Sequence, residues 1–268
     1  MKTLYLVEGR GLRIKRDGPS VLVIQKDSAA RRVPIKEIGQ VVVLGNVELQ
    51  AGVLTLLGAW GVPVLFASMD GAAQSFALPL KSPPGWKARR QRELASSKEY
   101  RDKLLTWLEA NRAQAELHVL KRLFGKSLDG LIDTGQRRQL YRQRVKNPLE
   151  GRRARQVLSL LRGFLRETVA TAVLQSGLDP HVGFLRPSEE HALVHELAYA
   201  LEPFVELQAL RFLRLATSHG LFGPLGRLCR PGLRHLVHGF ENRREFLQGK
   251  AEELCLQLCE FLRSPHEG

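Results

Sequence analysis

Cysteine is scarce in this chain: Cys229, Cys255 and Cys259 are the only three among 268 residues. An odd, sparse set excludes the disulfide framework that staples small secreted domains. Cys255 and Cys259 lie four apart, on one face of an expected helix, and read as small buried apolar residues. A zinc pair would need two further ligands at suitable spacing, and the neighbouring sequence offers none. Long apolar runs are missing as well. No stretch reaches the roughly 18 residues that span a bilayer. The opening MKTLYLVEGRG places an acid and glycines where a signal peptide needs its apolar segment. A soluble, cytoplasmic chain with no membrane partner is the expectation. Aromatic residues make up only 7%, and the basic stretches lack the interleaved aromatics on which single-strand binders stack bases.

Acidic residues are the last shortage, and the most telling. There are 27 Asp+Glu against 41 Lys+Arg, for a net charge of +14 and a pI near 10.2. A field of that size favours polyanions. The hydrophobic fraction of 44% belongs to a globular protein rather than a disordered one, and the length allows one large domain or two small ones. The charge is uneven. Between Gly135 and Arg166 there are ten cations and a single acid, Glu150. Arg137, Arg138, Arg142, Arg144, Lys146, Arg152, Arg153 and Arg155 make up most of that run; Arg162 and Arg166 complete it. Arginine dominates, and its planar fork suits bidentate phosphate contact. The first eight, from Arg137 to Arg155, are the candidates for binding a nucleic-acid backbone.

Strands are expected first. TLYLVE (3–8), LRIKR (12–16), SVLVIQ (20–25), RRVPI (31–35) and QVVVLG (40–45) are apolar or β-branched runs separated by turn formers such as Asp17-Gly18-Pro19. Their short spacing suggests hairpins and an antiparallel meander. Residues 49–60 have helical periodicity, and VPVLFA (62–67) and QSFALPL (74–80) read as strands. SPPGW (82–86) is a stiff break. Beyond it only helices are expected, at Lys98 to Phe124 and at about 150–176, 190–217 and 240–263. The reading is α+β: a small N-terminal antiparallel β domain (1–81), a linker (82–88) and a larger all-α domain (89–268).

Two segments carry a resemblance. MKTLYLVEGRGLRIKRDG, followed by RRVPIKEIGQVVVLGNVELQAGVLTLLGAWGVPVLFASMDG, resembles the start of the CRISPR-associated spacer integrases, the Cas-one family. There a strand ending in a Val-Leu-Phe-Gly-Asn-Val-like run leads into a helix and a Gly-Ile-Pro-Val-like strand; here these are Val42 to Val47 and Gly61-Val62-Pro63-Val64. EANRAQAELHVLKRL (109–123), GLDPHVGFL (177–185) and ELAYALEP (196–203) resemble family segments of the helical half. The resemblance implies a DNA integrase and endonuclease of CRISPR adaptation that uses Mg²⁺ or Mn²⁺. It also implies a homodimer paired through its β domains, a second adaptation protein as partner, and double-stranded or branched DNA as substrate.

The residues depart from that pattern where the metal should sit. EGRRAR (150–155) resembles the family's Glu-Gly-Xaa-Ala-Ala-Arg, making Glu150 the first catalytic and metal-ligating candidate, although Asp133 lies at a better distance from the next position. The histidine expected after Gly183-Phe184-Leu185 is Arg186, whose guanidinium has no lone pair for a metal and would bind phosphate instead. Glu196 occupies the next acid position and is the second catalytic candidate, but the companion acid three residues on is Tyr199. A compensated site could use Glu150, Glu196 and His195. The alternative is a member that has kept DNA binding and lost the chemistry, with no metal at all.

Overall fold

The computed structural model describes residues 2–26, 28–72, 74–79, 85–125, 134–186, 189–223 and 226–263. Asp133 lies outside them. The fold is α+β, with a strand-rich part followed by a larger helical part. The chain divides into two compact units, Met1–Pro83 and Pro84–Gly268. Of the expected linker, residues 82–84 lie outside the described residues, and Trp86 to Ala88 already belong to a helix.

The first unit holds β1 (Lys2–Val7), β2 (Arg13–Asp17), β3 (Ser20–Ile24), β4 (Arg31–Pro34), β5 (Ile38–Leu44), β6 (Glu48–Leu49), α1 (Ala51–Ala59), β7 (Val64–Ala67) and β8 (Gln74–Ala77). The expected meander is overturned. There are two sheets, ordered β1-β5-β7-β8 and β4-β3-β2-β6. In the first, β5 pairs in parallel with both β1 and β7, and only β7–β8 is antiparallel. Among the first five strands, hairpin logic holds only for β2, β3 and β4. The turn between β2 and β3 is Gly18-Pro19, where Gly18 takes φ +56° as a two-residue turn with glycine first requires. The physical reason for the error lies in β5. Its run IGQVVVL is buried on both faces, which is how a central parallel strand reads. The helix α1 supplies the crossover that lets β7 return parallel to it.

The second unit holds α2 (Trp86–Ala95), α3 (Lys98–Phe124), α4 (Thr134–Tyr141), α5 (Arg152–Gln175), α6 (Ala192–His219) and α7 (Arg230–Arg263). A π-helical turn over Arg142–Lys146 and a 3₁₀ turn over Asn147–Leu149 lead from α4 towards α5. α5 packs on α6 and α7, and α6 packs on α3. The last helix starts ten residues earlier than the 240 read from the sequence. Pro231 is no break there: it sits in the first turn, where its missing N–H has no intrahelical partner to lose. A Cβ on Gly232 would collide with the Leu221 carbonyl, so close backbone approach explains that glycine. The inward face of α3 carries two charged residues among its apolar ones. Tyr100, Leu104, Leu108, Arg112, Ala115, Glu116 and Val119 are buried, whereas Leu105 is 45% exposed. No helix is long and apolar enough to cross a membrane among the described residues.

Candidate nucleic-acid interface

The loop before α6 is built around one carboxylate. Gly183 to Arg186 wraps over Glu196, which is buried. Glu196 Oε1 accepts the backbone N–H of Leu185 at 2.7 Å and of Arg186 at 3.2 Å, and Oε2 accepts that of Phe184 at 3.1 Å. Burial pushes its pKa up, against the opposing pull of these three bonds. Gly183 is there because nothing larger fits: a Cβ would lie 2.5 Å from Glu196 Oε1 and overlap Ala192. The Arg186 side chain turns outward, 65% exposed, and pairs with Glu189 at 3.3 Å. At the helix start His191 takes φ +56°, in the left-handed region, and its ring lies 4.6 Å from that of His181. His195 is half-buried, and burial, then Arg166, holds its pKa down.

Three residues past Glu196 the acid-to-tyrosine change has a physical reading. The Tyr199 hydroxyl donates to Glu109 at 2.8 Å, and the Arg112 guanidinium lies over the Tyr199 ring at 4.2 Å. Arg112 is buried. It donates to the Tyr199 carbonyl at 2.7 Å and to Glu116 at 3.1 Å, with Glu202 at 3.5 Å and Glu206 at 3.9 Å. Burial works against its charge, but Glu206, Glu202 and Glu116 outweigh it and hold the pKa above the usual value. Arg162 meets the same acids from α5, at 3.3 Å from Glu202 and 3.7 Å from Glu206. Tyr141 closes the network by donating to Glu206. Arg162 is thus half-buried and spent on internal pairing, and does not join the open basic face that the charge count implied.

Above this network lies a pocket of about 380 Å³ lined by Arg138, Arg142 and Lys146 from one side and Glu109, Arg112 and Tyr199 from the other. Arg138, Arg142 and Lys146 are four residues apart in turn, so the α4 helix and its π-helical continuation present them along one side. All three are exposed, as are Arg144, Arg152, Arg153 and Arg155, while Arg137 is half-buried. Arg138 approaches Glu109 only loosely, at 3.9 Å. The sequence named these cations, but it gave no sign that three of them share a pocket with Tyr199. Arg112, the anchor beneath, was missed. Its only sequence signal is the i,i+4 spacing to Glu116 on an otherwise apolar face.

The proposed metal ligands do not converge. Glu150 is exposed, just ahead of the Gly151 N-cap of α5. Glu196 already accepts three backbone donors. Among the described residues no group of three or more His, Cys, Asp and Glu side chains is arranged to hold a metal ion. A hard divalent cation wants several free oxygen donors, and Glu150, Glu196 and His195 in this arrangement do not fit one.

The family model of CRISPR associated protein Cas1 matches residues 5–150. The fold is similar to TM1797, a Cas1 protein from Thermotoga maritima, with a TM-score of 0.81, 17% identity, and coverage of 99% of this chain and 98% of the other. It is similar to a casposase bound to its integration product, at TM-score 0.73 and 19% identity over 98% and 92% of the two chains. It is also similar to TtCas1 in complex with DNA, at TM-score 0.68 and 16% identity over 99% and 93%. At these identities the likeness establishes the fold. No curated protein sequence matches the chain.

Proposed function

The chain belongs to the family of CRISPR associated protein Cas1, and on that premise we propose that it is a CRISPR adaptation protein that grips double-stranded DNA through its helical unit. The observation that carries this reading is the pocket edged by Arg138, Arg142 and Lys146. The exposed Arg144, Arg152, Arg153 and Arg155 extend the same basic segment. Exposed arginines at this density neutralise phosphates and release counterions without reading sequence. Similar folds bound to DNA and to an integration product support the ligand class. Arg186 adds a further exposed cation beside the Glu196 loop.

The chemistry is read as secondary to binding. Glu196 serves as the structural clasp of its loop, Tyr199 stands where a second acid would be, and Arg186 cannot ligate a cation. The protein acts as a DNA-holding member of the adaptation complex, as a homodimer paired through its strand-rich unit and joined by the second adaptation protein. A working integrase is the second reading, favoured by the fold shared with the product-bound casposase. Manganese-dependent strand transfer on branched DNA that is lost with Glu150→Ala would establish it.

The test of the DNA reading is the salt dependence of duplex binding. Each phosphate contact contributes a slope of about −0.9 in log K against log salt. Replacing Arg138, Arg142 and Lys146 together by alanine should flatten that slope and weaken all duplex sequences alike. A flat response in the unmodified protein would refute the reading.

A further inference from the structure

At one end of the helical unit, α2 begins with an indole that stands half in water. Trp86 is 48% exposed. The last residue of α7, Arg263, lies over its ring at 5.5 Å. With Arg89, Arg90, Glu93 and Leu262 these two line a pocket of about 560 Å³. Leu262 is 2% exposed and forms an apolar floor. Arg90 is tied to Glu93 at 3.1 Å, whereas Arg89 and Arg263 are exposed. Three arginines against a single glutamate leave the pocket cationic. The platform is separate from the pocket at Arg138, Arg142 and Lys146: the two share no lining residue.

We propose that this Trp86–Arg263 platform takes an unpaired nucleobase together with its flanking phosphates. The inference rests on the DNA-binding reading and adds a single-stranded contact to it. A base in a duplex has its faces covered by its neighbours, so only an unpaired one can stack on an exposed indole. The Arg263 guanidinium lies over the ring as a cation–π partner, so a base stacks on that planar guanidinium or on the indole surface it leaves uncovered. Arg89, one turn along α2, offers a second exposed cation for the backbone. An aromatic face with cations around it is how sequence-tolerant single-strand binders are made. The charge of the lining argues against a cationic or purely apolar partner.

The experiment uses the full chain and two probes: an oligothymidylate of about ten nucleotides, within the span of known single-strand sites, and a blunt duplex. Trp86→Leu and Arg263→Gln are each expected to weaken oligothymidylate binding roughly fivefold to tenfold, as loss of one stacked base does. Duplex affinity should be unchanged, and Trp86→Phe should restore most of the loss. Oligothymidylate should also quench tryptophan emission in the unmodified protein, and less in Trp86→Phe. Unchanged oligothymidylate affinity in a folded Trp86→Leu protein would overturn the proposal. So would an equal loss for both probes. If the Arg138, Arg142 and Lys146 variant still loses duplex binding while Trp86→Leu changes nothing, the platform fails and the broader DNA reading stands.

Discussion

Glu196 holds Arg186 by its backbone while the Arg186 guanidinium points elsewhere: Oε1 accepts the Arg186 N–H at 3.2 Å, and the side chain reaches Glu189 at 3.3 Å. The carboxylate at the family's acid position thus clasps the loop that precedes its helix.

Removing that clasp should destabilise the fold itself. Glu196→Ala leaves the buried N–H of Phe184 and the part-buried N–H groups of Leu185 and Arg186 without their acceptor, at about 1–3 kcal/mol for each one that water does not reach. A loss of about 3 kcal/mol or more in denaturant unfolding is expected, and Glu196→Gln, which keeps one oxygen, should lose less. Unchanged stability in Glu196→Ala would mean the carboxylate is held for chemistry and not for the loop.

Arg112 should be intolerant of change. Its guanidinium is buried among Glu116, Glu202 and Glu206, and breaking a buried pair by removing one partner costs about 3–5 kcal/mol. Arg112→Met is expected to lower unfolding free energy by that order. Arg112→Lys should recover little, because an ammonium cannot reproduce the fork that meets Glu116 and the Tyr199 carbonyl together. Full rescue by lysine would contradict this geometry.

The histidines beside the loop give a pH dependence of definite sign. His195 is held below its usual pKa by burial and then by Arg166, His191 by burial and then by His181. The unfolded chain therefore takes up protons near pH 6.5 that the folded chain resists. Their contribution is intact above about pH 6.5 and is lost as pH falls below it towards the lowered folded values. In paired denaturation curves, His195→Gln should lose less stability than the unmodified protein between pH 8 and pH 5.5. Parallel curves would show that His195 titrates freely.

The strand-rich unit was readable where local signals decide. Asp17-Gly18-Pro19 marked a hairpin, and the apolar or β-branched runs on either side placed its arms. It was misread where pairing is non-local: β5 is a buried central strand, and its parallel partners β1 and β7 are chosen by the crossover through α1. The start of α7 was lost for a simpler reason. Pro231 and Gly232 look like punctuation, yet one sits in a helix's first turn and the other lets the Leu221 backbone approach. At the candidate site the cations were visible as a charge run, because exposed arginines need no tertiary partner to be recognised. Which of them turn inward was not visible. Arg162 and Arg112 are committed by acids on α6. The platform of Trp86 and Arg263 joins opposite ends of the helical unit's sequence, so composition along the chain could not show it.

Duplex binding measured in chelator and again in Mn²⁺ tests the central claim most directly, with the Arg138, Arg142 and Lys146 triple alanine variant alongside. The expected result is equal affinity with and without metal in the unmodified protein, and a loss of at least about tenfold in the variant, as removal of three phosphate-binding cations implies. Binding that appears only with Mn²⁺, or a variant that binds as tightly as the unmodified protein, would contradict a metal-free cationic grip on DNA.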